Sequence, residues 1–150
     1  MKLFLLRHGD AEFGSPDSGR QLSALGSEQI TKTAARHREH CADVQLLLCS
    51  PLLRAVQSAG LFISGAMIEC PQQTVDFLCP ETAVNRVEQF LQITDCQSIL
   101  MVGHLPMLEN LINYLTADTG ARMETASLAS LSMDLPMRGL ATLDWIHYVD

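Results

Sequence analysis

Residues Met1–Asp10 read MKLFLLRHGD. Leu3, Phe4, Leu5 and Leu6 form an uninterrupted apolar run that ends directly on Arg7, His8 and Gly9. A run this short, apolar at every position rather than at alternate ones, predicts a strand buried on both faces, as in a parallel sheet. In open α/β sheets ligands bind beyond the carboxyl ends of such strands. The chain therefore starts by carrying an arginine and a histidine to the edge where such folds do chemistry.

The same pattern recurs downstream. Val44 to Cys49 predicts a second buried strand, ending in Ser50-Pro51, where the serine is expected to cap a helix and the proline to take its first position. Leu52, Ala55, Val56, Ala59, Phe62 and Ile63 supply that helix with an apolar stripe, and Arg54 lies in its first turn. Ser98 to Val102 predicts a third buried strand, followed by Gly103 and His104, and Pro106 opens a helix whose inner face is Leu108, Leu111, Ile112 and Leu115.

Between these segments, residues 10–22 have the Gly, Ser, Pro and Asp content of a loop. A helix is expected from Ser23 as N-cap to about His40. Residues 64–81 are expected to be irregular, broken by Gly65, Pro71 and Pro80, with one short strand near Met67 to Cys70. Val84, Val87 and Leu91 mark a further helix. Leu128 to Met133 and Ala141 to Tyr148 read as two closing strands. Strands alternating with helices predict an α/β fold, a three-layer α/β/α arrangement around a mainly parallel sheet. No repeat or linker divides the chain, so one domain over residues 1–150 is expected.

Composition agrees with this and narrows the function. The 150 residues are 47% hydrophobic and 18% charged, which suits a well-filled core rather than a disordered chain. The net charge of −7 argues against a nucleic-acid binder, which carries a basic face. No apolar run approaches the roughly 18 residues of a membrane span, and four apolar residues after Lys2 are too few for a signal-peptide core. A cytoplasmic protein without membrane or nucleic-acid partners is expected. The five cysteines, Cys41, Cys49, Cys70, Cys79 and Cys96, are odd in number and lack C-x-x-C spacing, which predicts reduced thiols.

In a parallel sheet the three strand ends share one edge, so Arg7, His8, Ser50, Arg54 and His104 are expected to converge. Guanidinium forks pair with phosphate oxygens, and helix N-termini behind them add free N–H groups. A histidine nitrogen among arginines stays neutral, because added positive charge is disfavoured there, and is able to attack phosphorus. The second histidine and the arginines can stabilise charge on the transferring group.

Three elements in order, R-H-G at Arg7–Gly9, S-P-L-L-R-A at Ser50–Ala55 and V-G-H at Val102–His104, resemble the histidine phosphatase superfamily, also called phosphoglycerate mutase-like. The resemblance covers almost the whole chain. R-H-G-D-A at the start, R-Q-L-S-A-L-G at Arg20–Gly26, G-H-L-P at Gly103–Pro106 and T-A-S at Thr125–Ser127 are similar, within that superfamily, to the SixA-type phosphohistidine phosphatases. The resemblance implies that His8 is the nucleophile that becomes phosphohistidine, with Arg7, Arg54 and His104 completing the phosphate pocket. It implies hydrolysis of a phosphohistidine on a signal-transduction protein, typically a histidine-containing phosphotransfer domain, with no metal or organic cofactor.

Other residues carry open alternatives. Arg20 reaches the phosphate, binds an acidic partner or lies on the surface. Ser127 donates to a phosphate oxygen or merely begins a strand. Asp10 orients an arginine or caps a turn. Many superfamily members supply a carboxylic acid to an alcohol leaving group; here the candidates are Glu81 and Asp76, and neither sits in a matching motif. A missing acid fits phosphohistidine, whose imidazole leaves more easily than an alkoxide. Short inter-strand segments leave little material for a lid, which suits a side chain presented by another protein. His37 and His40 have H-x-x-H spacing but are expected on a solvated helix face rather than around zinc. Asp17, Glu28, Glu39 and Asp43 are expected on the solvated surface, and Met101, Met107, Met123, Met133 and Met137 in the core or on the surface. Two further functions compete: a small phosphomonoesterase or mutase-like enzyme on phosphorylated metabolites, which would depend on Glu81, and a non-catalytic reader of phosphorylated proteins, which would need the arginines but not both histidines.

Overall fold

Leu3 and Leu5 face one side of the first strand and Phe4 and Leu6 the other, and all four are buried. The computed structural model describes residues 1–149; Asp150, the last residue of the expected domain, lies outside the described residues. Strand β1 (Lys2–Arg7) is followed by α1 (Ala24–Arg36), β2 (Leu46–Cys49), α2 (Leu53–Ala66), β3 (Gln72–Thr74), α3 (Asn85–Ile93), β4 (Ser98–Gly103), α4 (Met107–Thr116), β5 (Leu128–Met133) and β6 (Ala141–His147). The strands form one six-stranded sheet in the order β3-β2-β4-β1-β5-β6. The first four in that order run parallel, and β5 and β6 close the far side antiparallel.

The strand alternation divides the core in two. Leu3, Leu5, Leu46, Leu48, Ile99 and Met101 pack against α3 and α4 through Val87, Leu91, Leu108 and Leu111. Phe4, Leu6, Leu47, Cys49, Leu100 and Val102 pack against α1 and α2 through Ile30, Ala34, Ala59 and Phe62. The expected α/β/α architecture is thus observed, and it follows from the period of two along each strand.

Several boundaries differ from expectation. Helix α1 does begin after Ser23, whose hydroxyl accepts the Gly26 N–H at 3.0 Å, but it ends at Arg36, not near His40. Strand β2 begins at Leu46 rather than Val44. Ser50 does not cap α2, which starts at Leu53 with Leu52 in the N-cap position; its hydroxyl is instead engaged by Leu52 N–H and by His104. Gly65 does not break the chain but lies inside α2, where a Cβ would stand 2.8 Å from the Ala34 Cβ; it lets α1 and α2 approach closely. Met67 ends α2 in a left-handed conformation, φ 57°. The short strand expected near Met67 to Cys70 lies at Gln72–Thr74 instead. Its three residues are polar and exposed, so this edge strand carried no apolar signature to read.

Candidate active site

The register places the strand ends together: Arg7 pairs with Gly103 and Cys49 with Val102. The backbone then extends the sheet by one step, with His8 N–H on Gly103 O at 3.1 Å and Ser50 N–H on Val102 O at 3.1 Å. Gly9 is required by packing. A Cβ there would lie 2.6 Å from Gly26 O, and a Cβ on Gly26 would lie 2.0 Å from Asp10 O. The loop after β1 therefore rests directly on the first turn of α1, and Ser58 of α2 accepts the Gly9 N–H at 3.1 Å.

Arg7, His8, Arg20, Arg54 and His104 line one cleft of about 270 Å³. Arg54 and His104 are only 5% and 1% exposed, so Arg54 is no surface helix residue. The His8 and His104 rings lie 5.0 Å apart between centroids. Nδ1 of His8 is 2.7 Å from Gly9 O. A carbonyl only accepts, so Nδ1 carries the proton and Nε2 keeps a free lone pair. Burial pushes the His8 imidazole down to about 4; the Gly9 bond opposes this, and Arg54, Arg7 and Arg20 reinforce it. His104 is pushed down to about 3, by burial first and then by His8 and Arg54. Both rings are neutral at pH 7.

The arginines are held with donors to spare. Arg7 donates from one terminal nitrogen to Met123 O at 2.8 Å. Arg54 donates to Asp17 O at 2.9 Å and to an Asp17 carboxylate oxygen at 3.1 Å. Arg7 Nε, Arg54 Nε and His104 Nδ1 are buried with no protein partner; among the described residues only Ser127 Oγ and His147 Nδ1 share that condition. Buried polar groups ordinarily find partners. Three orphaned nitrogens around one cleft define a site built for an anion rich in acceptor oxygens, and a neutral imidazole with a free Nε2 beside them can attack phosphorus.

The remaining expectations divide. Ser127 is fully buried and outside the cleft lining, where the hydroxyl present is that of Thr125; the T-A-S turn aims the earlier residue at the cleft, because Ala126 adopts a positive φ of 59°. Glu81 is exposed and does not line the cleft. Asp76 pairs with Arg86 at 3.0 Å on the surface. The one carboxylate in the lining among the described residues, Asp10, accepts from the Ser23 hydroxyl at 2.6 Å and so ties down the start of α1 rather than an arginine. Asp17 is exposed, as expected, and also bridges Arg20 and Arg54, both at 3.1 Å; those two bonds, Arg20's first, hold its carboxyl below the usual range. The D-x-x-R spacing of Asp17 and Arg20 was the signal for it. Phe13, fully exposed, also lines the cleft.

His40 is exposed as expected, but His37 is not on a solvated face. His37 is 1% exposed, its Nδ1 lies 3.1 Å from Nδ1 of His40, and it stacks on Trp145 and His147 of β6. Burial pushes His37 down to about 4. Among the described residues no group of three or more His, Cys, Asp or Glu side chains is arranged to hold a metal ion, and no helix is long and apolar enough to cross a membrane.

The family model of the histidine phosphatase superfamily (branch 1) matches residues 3–79, just over half of the chain. With the fold and the cleft, this defines the class: the chain belongs to the histidine phosphatase superfamily. No curated protein matches it in sequence. Among solved structures it is similar to the protein histidine phosphatase SixA complexed with tungstate, at 27% identity and TM-score 0.90 over 99% of this chain and 97% of that one. A protein assigned as a SixA phosphohistidine phosphatase from Nakamurella multipartitia is 23% identical, with TM-score 0.82 over 99% and 95%. A mycobacterial glucosyl-3-phosphoglycerate phosphatase is 16% identical, with TM-score 0.73 over 99% of each chain. The last two share the fold, which is the phosphoglycerate mutase-like fold.

Proposed function

We propose that this phosphatase hydrolyses phosphohistidine on a signalling protein, typically a histidine-containing phosphotransfer domain, as one domain working in the cytoplasm. His8 Nε2 attacks phosphorus, and the P–N bond to the substrate imidazole breaks with its electron pair leaving on that nitrogen. Water then displaces His8 and releases inorganic phosphate. Arg7, Arg54, Arg20 and the His104 ring hold the equatorial oxygens as charge builds on them. The observation that carries the substrate class is the carboxylate inventory of the cleft. Among the described residues its lining holds one carboxylate, Asp10, already bonded to Ser23, while Glu81 lies outside it. An alkoxide leaving group needs a proton donor; an imidazole carrying a proton on its other nitrogen needs far less help. The similarity to SixA supports the same reading.

The test is a paired assay of a phosphohistidine-bearing phosphotransfer domain against phosphomonoesters including 3-phosphoglycerate. Phosphate release from phosphohistidine is expected to be fast, to outpace the monoesters, and to disappear in His8→Ala. Fast monoester turnover with inert phosphohistidine would overturn the substrate while keeping the nucleophile. Stable binding without turnover would favour a reader.

A further inference from the structure

Ser50 stands immediately after β2, fully buried, with its Oγ 2.8 Å from Nε2 of His104. The same oxygen accepts the Leu52 N–H at 3.2 Å. We propose that Ser50 sets the tautomer of His104: its hydroxyl donates to Nε2, so that Nδ1 carries the proton and offers an N–H donor to the phosphoryl oxygens. The donor role rests on the reading of the cleft as a phosphate site; the choice of tautomer rests on the hydrogen bonds alone.

Hydrogen counting decides between the two neutral forms. A serine hydroxyl has one donor and two acceptor positions. With Ser50 donating to Nε2, its proton is used and Leu52 occupies one acceptor position, so His104 Nδ1 is the one polar group of the pair left without a protein partner. With Nε2–H donating to Ser50 instead, the oxygen accepts from both Leu52 and His104. Its own proton would then be a second buried group without a partner, beside His104 Nδ1, since Ser50 Oγ has no third partner among the described residues. Leaving a buried donor unmade is costly. The two forms also differ at the cleft. His104 Nδ1 is buried without a protein partner, and His104 lines the cleft beside His8. Protonated, that nitrogen completes the donor set of Arg7 Nε and Arg54 Nε. Unprotonated, it would set a lone pair against phosphate oxygens.

The backbone makes the relation rigid. Ser50 N–H donates to Val102 O at 3.1 Å, tying the end of β2 to the strand that delivers His104. Ser50 is therefore a positioning residue, acting on substrate through His104. His8 and His104 are held as opposite types: His8 presents a lone pair from Nε2, fixed by Gly9 O, and His104 presents an N–H from Nδ1, fixed by Ser50.

Long-range 1H–15N correlation on the imidazoles of 15N-labelled protein reads the tautomer directly, with and without inorganic phosphate. Wild-type His104 is expected as the neutral Nδ1–H form in both states. Ser50→Ala is expected to shift it toward Nε2–H and to weaken phosphate binding about tenfold or more, the equivalent of one buried hydrogen bond. Ser50→Thr, which keeps the hydroxyl, is expected to restore both. An Nε2–H wild-type His104, or a Ser50→Ala protein with wild-type tautomer and phosphate affinity, would overturn the proposal. The wild-type spectrum decides the tautomer even if Ser50→Ala does not fold. A wild-type protein in the Nδ1–H form that binds no phosphate would instead count against the cleft as a phosphate site.

Discussion

Three imidazoles, the partly buried His8 and the buried His37 and His104, are held neutral, pushed down to about 4, 4 and 3. For His8 and His104 the arginines of the cleft add to burial, and for His37 its imidazole neighbours do. The unfolded chain has ordinary imidazoles, near 6.5. Below that pH the unfolded state binds protons that the folded state refuses, so stability falls as the pH drops from about 6.5 toward 4 and is fully present above 6.5. Thermal melts are expected to show a lower Tm at pH 5 than at pH 7, a window in which most carboxylates stay ionised. An unchanged Tm would mean that these imidazoles titrate normally. The same neutrality keeps the His8 lone pair available at pH 7, which links the cost in acid stability to the chemistry of the cleft.

At the scale of elements, the site depends on how closely the loop after β1 meets α1. Gly9 and Gly26 touch backbone to backbone, and Asp10 anchors Ser23 at the helix start. Gly26→Ala puts a methyl 2.0 Å from Asp10 O, and backbone cannot step aside as a side chain does. The expected loss is about 1–3 kcal/mol, measured by urea denaturation, with slower phosphate release because His8 and Gly9 move with the loop. Wild-type stability in Gly26→Ala would show that the loop is free to shift. The opposite end of α1 is held differently. Beyond Arg36 the chain turns, and His37 and His40 pack with Trp145 and His147 on β6. The H-x-x-H spacing belongs to this aromatic packing between a helix end and the edge strand.

Across the whole molecule, a chain of net charge −7 concentrates Arg7, Arg20 and Arg54 in one cleft. Local charge sets the field for a small anion, whatever the total. Inorganic phosphate is therefore expected to stabilise the folded state by mass action, by about 2.7 kcal/mol at a hundredfold excess over Kd. That corresponds to a Tm rise of several degrees at this chain length, about 2–4 °C per kcal/mol. The rise should shrink at high ionic strength and vanish in Arg54→Ala. An equal rise in Arg54→Ala would place the phosphate elsewhere.

The sequence by itself determined the sheet and its chemistry-bearing edge. The apolar segments Leu3–Leu6, Val44–Cys49 and Ser98–Val102 read as strands buried on both faces, and each leads within two residues to a polar group, so Arg7, His8, Arg54 and His104 were legible as a convergent set. The pattern was silent wherever a residue's part depends on partners far along the chain. Gln72–Thr74 is a strand because β2 has a free edge, not because its residues are apolar. Ser50 looked like a helix cap until β4 brought His104 to its hydroxyl, and Asp17, exposed as expected, gave no sign of its bond to Arg54. Ser127 and Thr125 exchanged places through one left-handed turn at Ala126, and His37 left the solvent for Trp145, more than a hundred residues away. Periodicity records how much of a residue is buried; which hydrogen-bond partner it meets there is decided only when distant strands and loops are brought within about 3 Å.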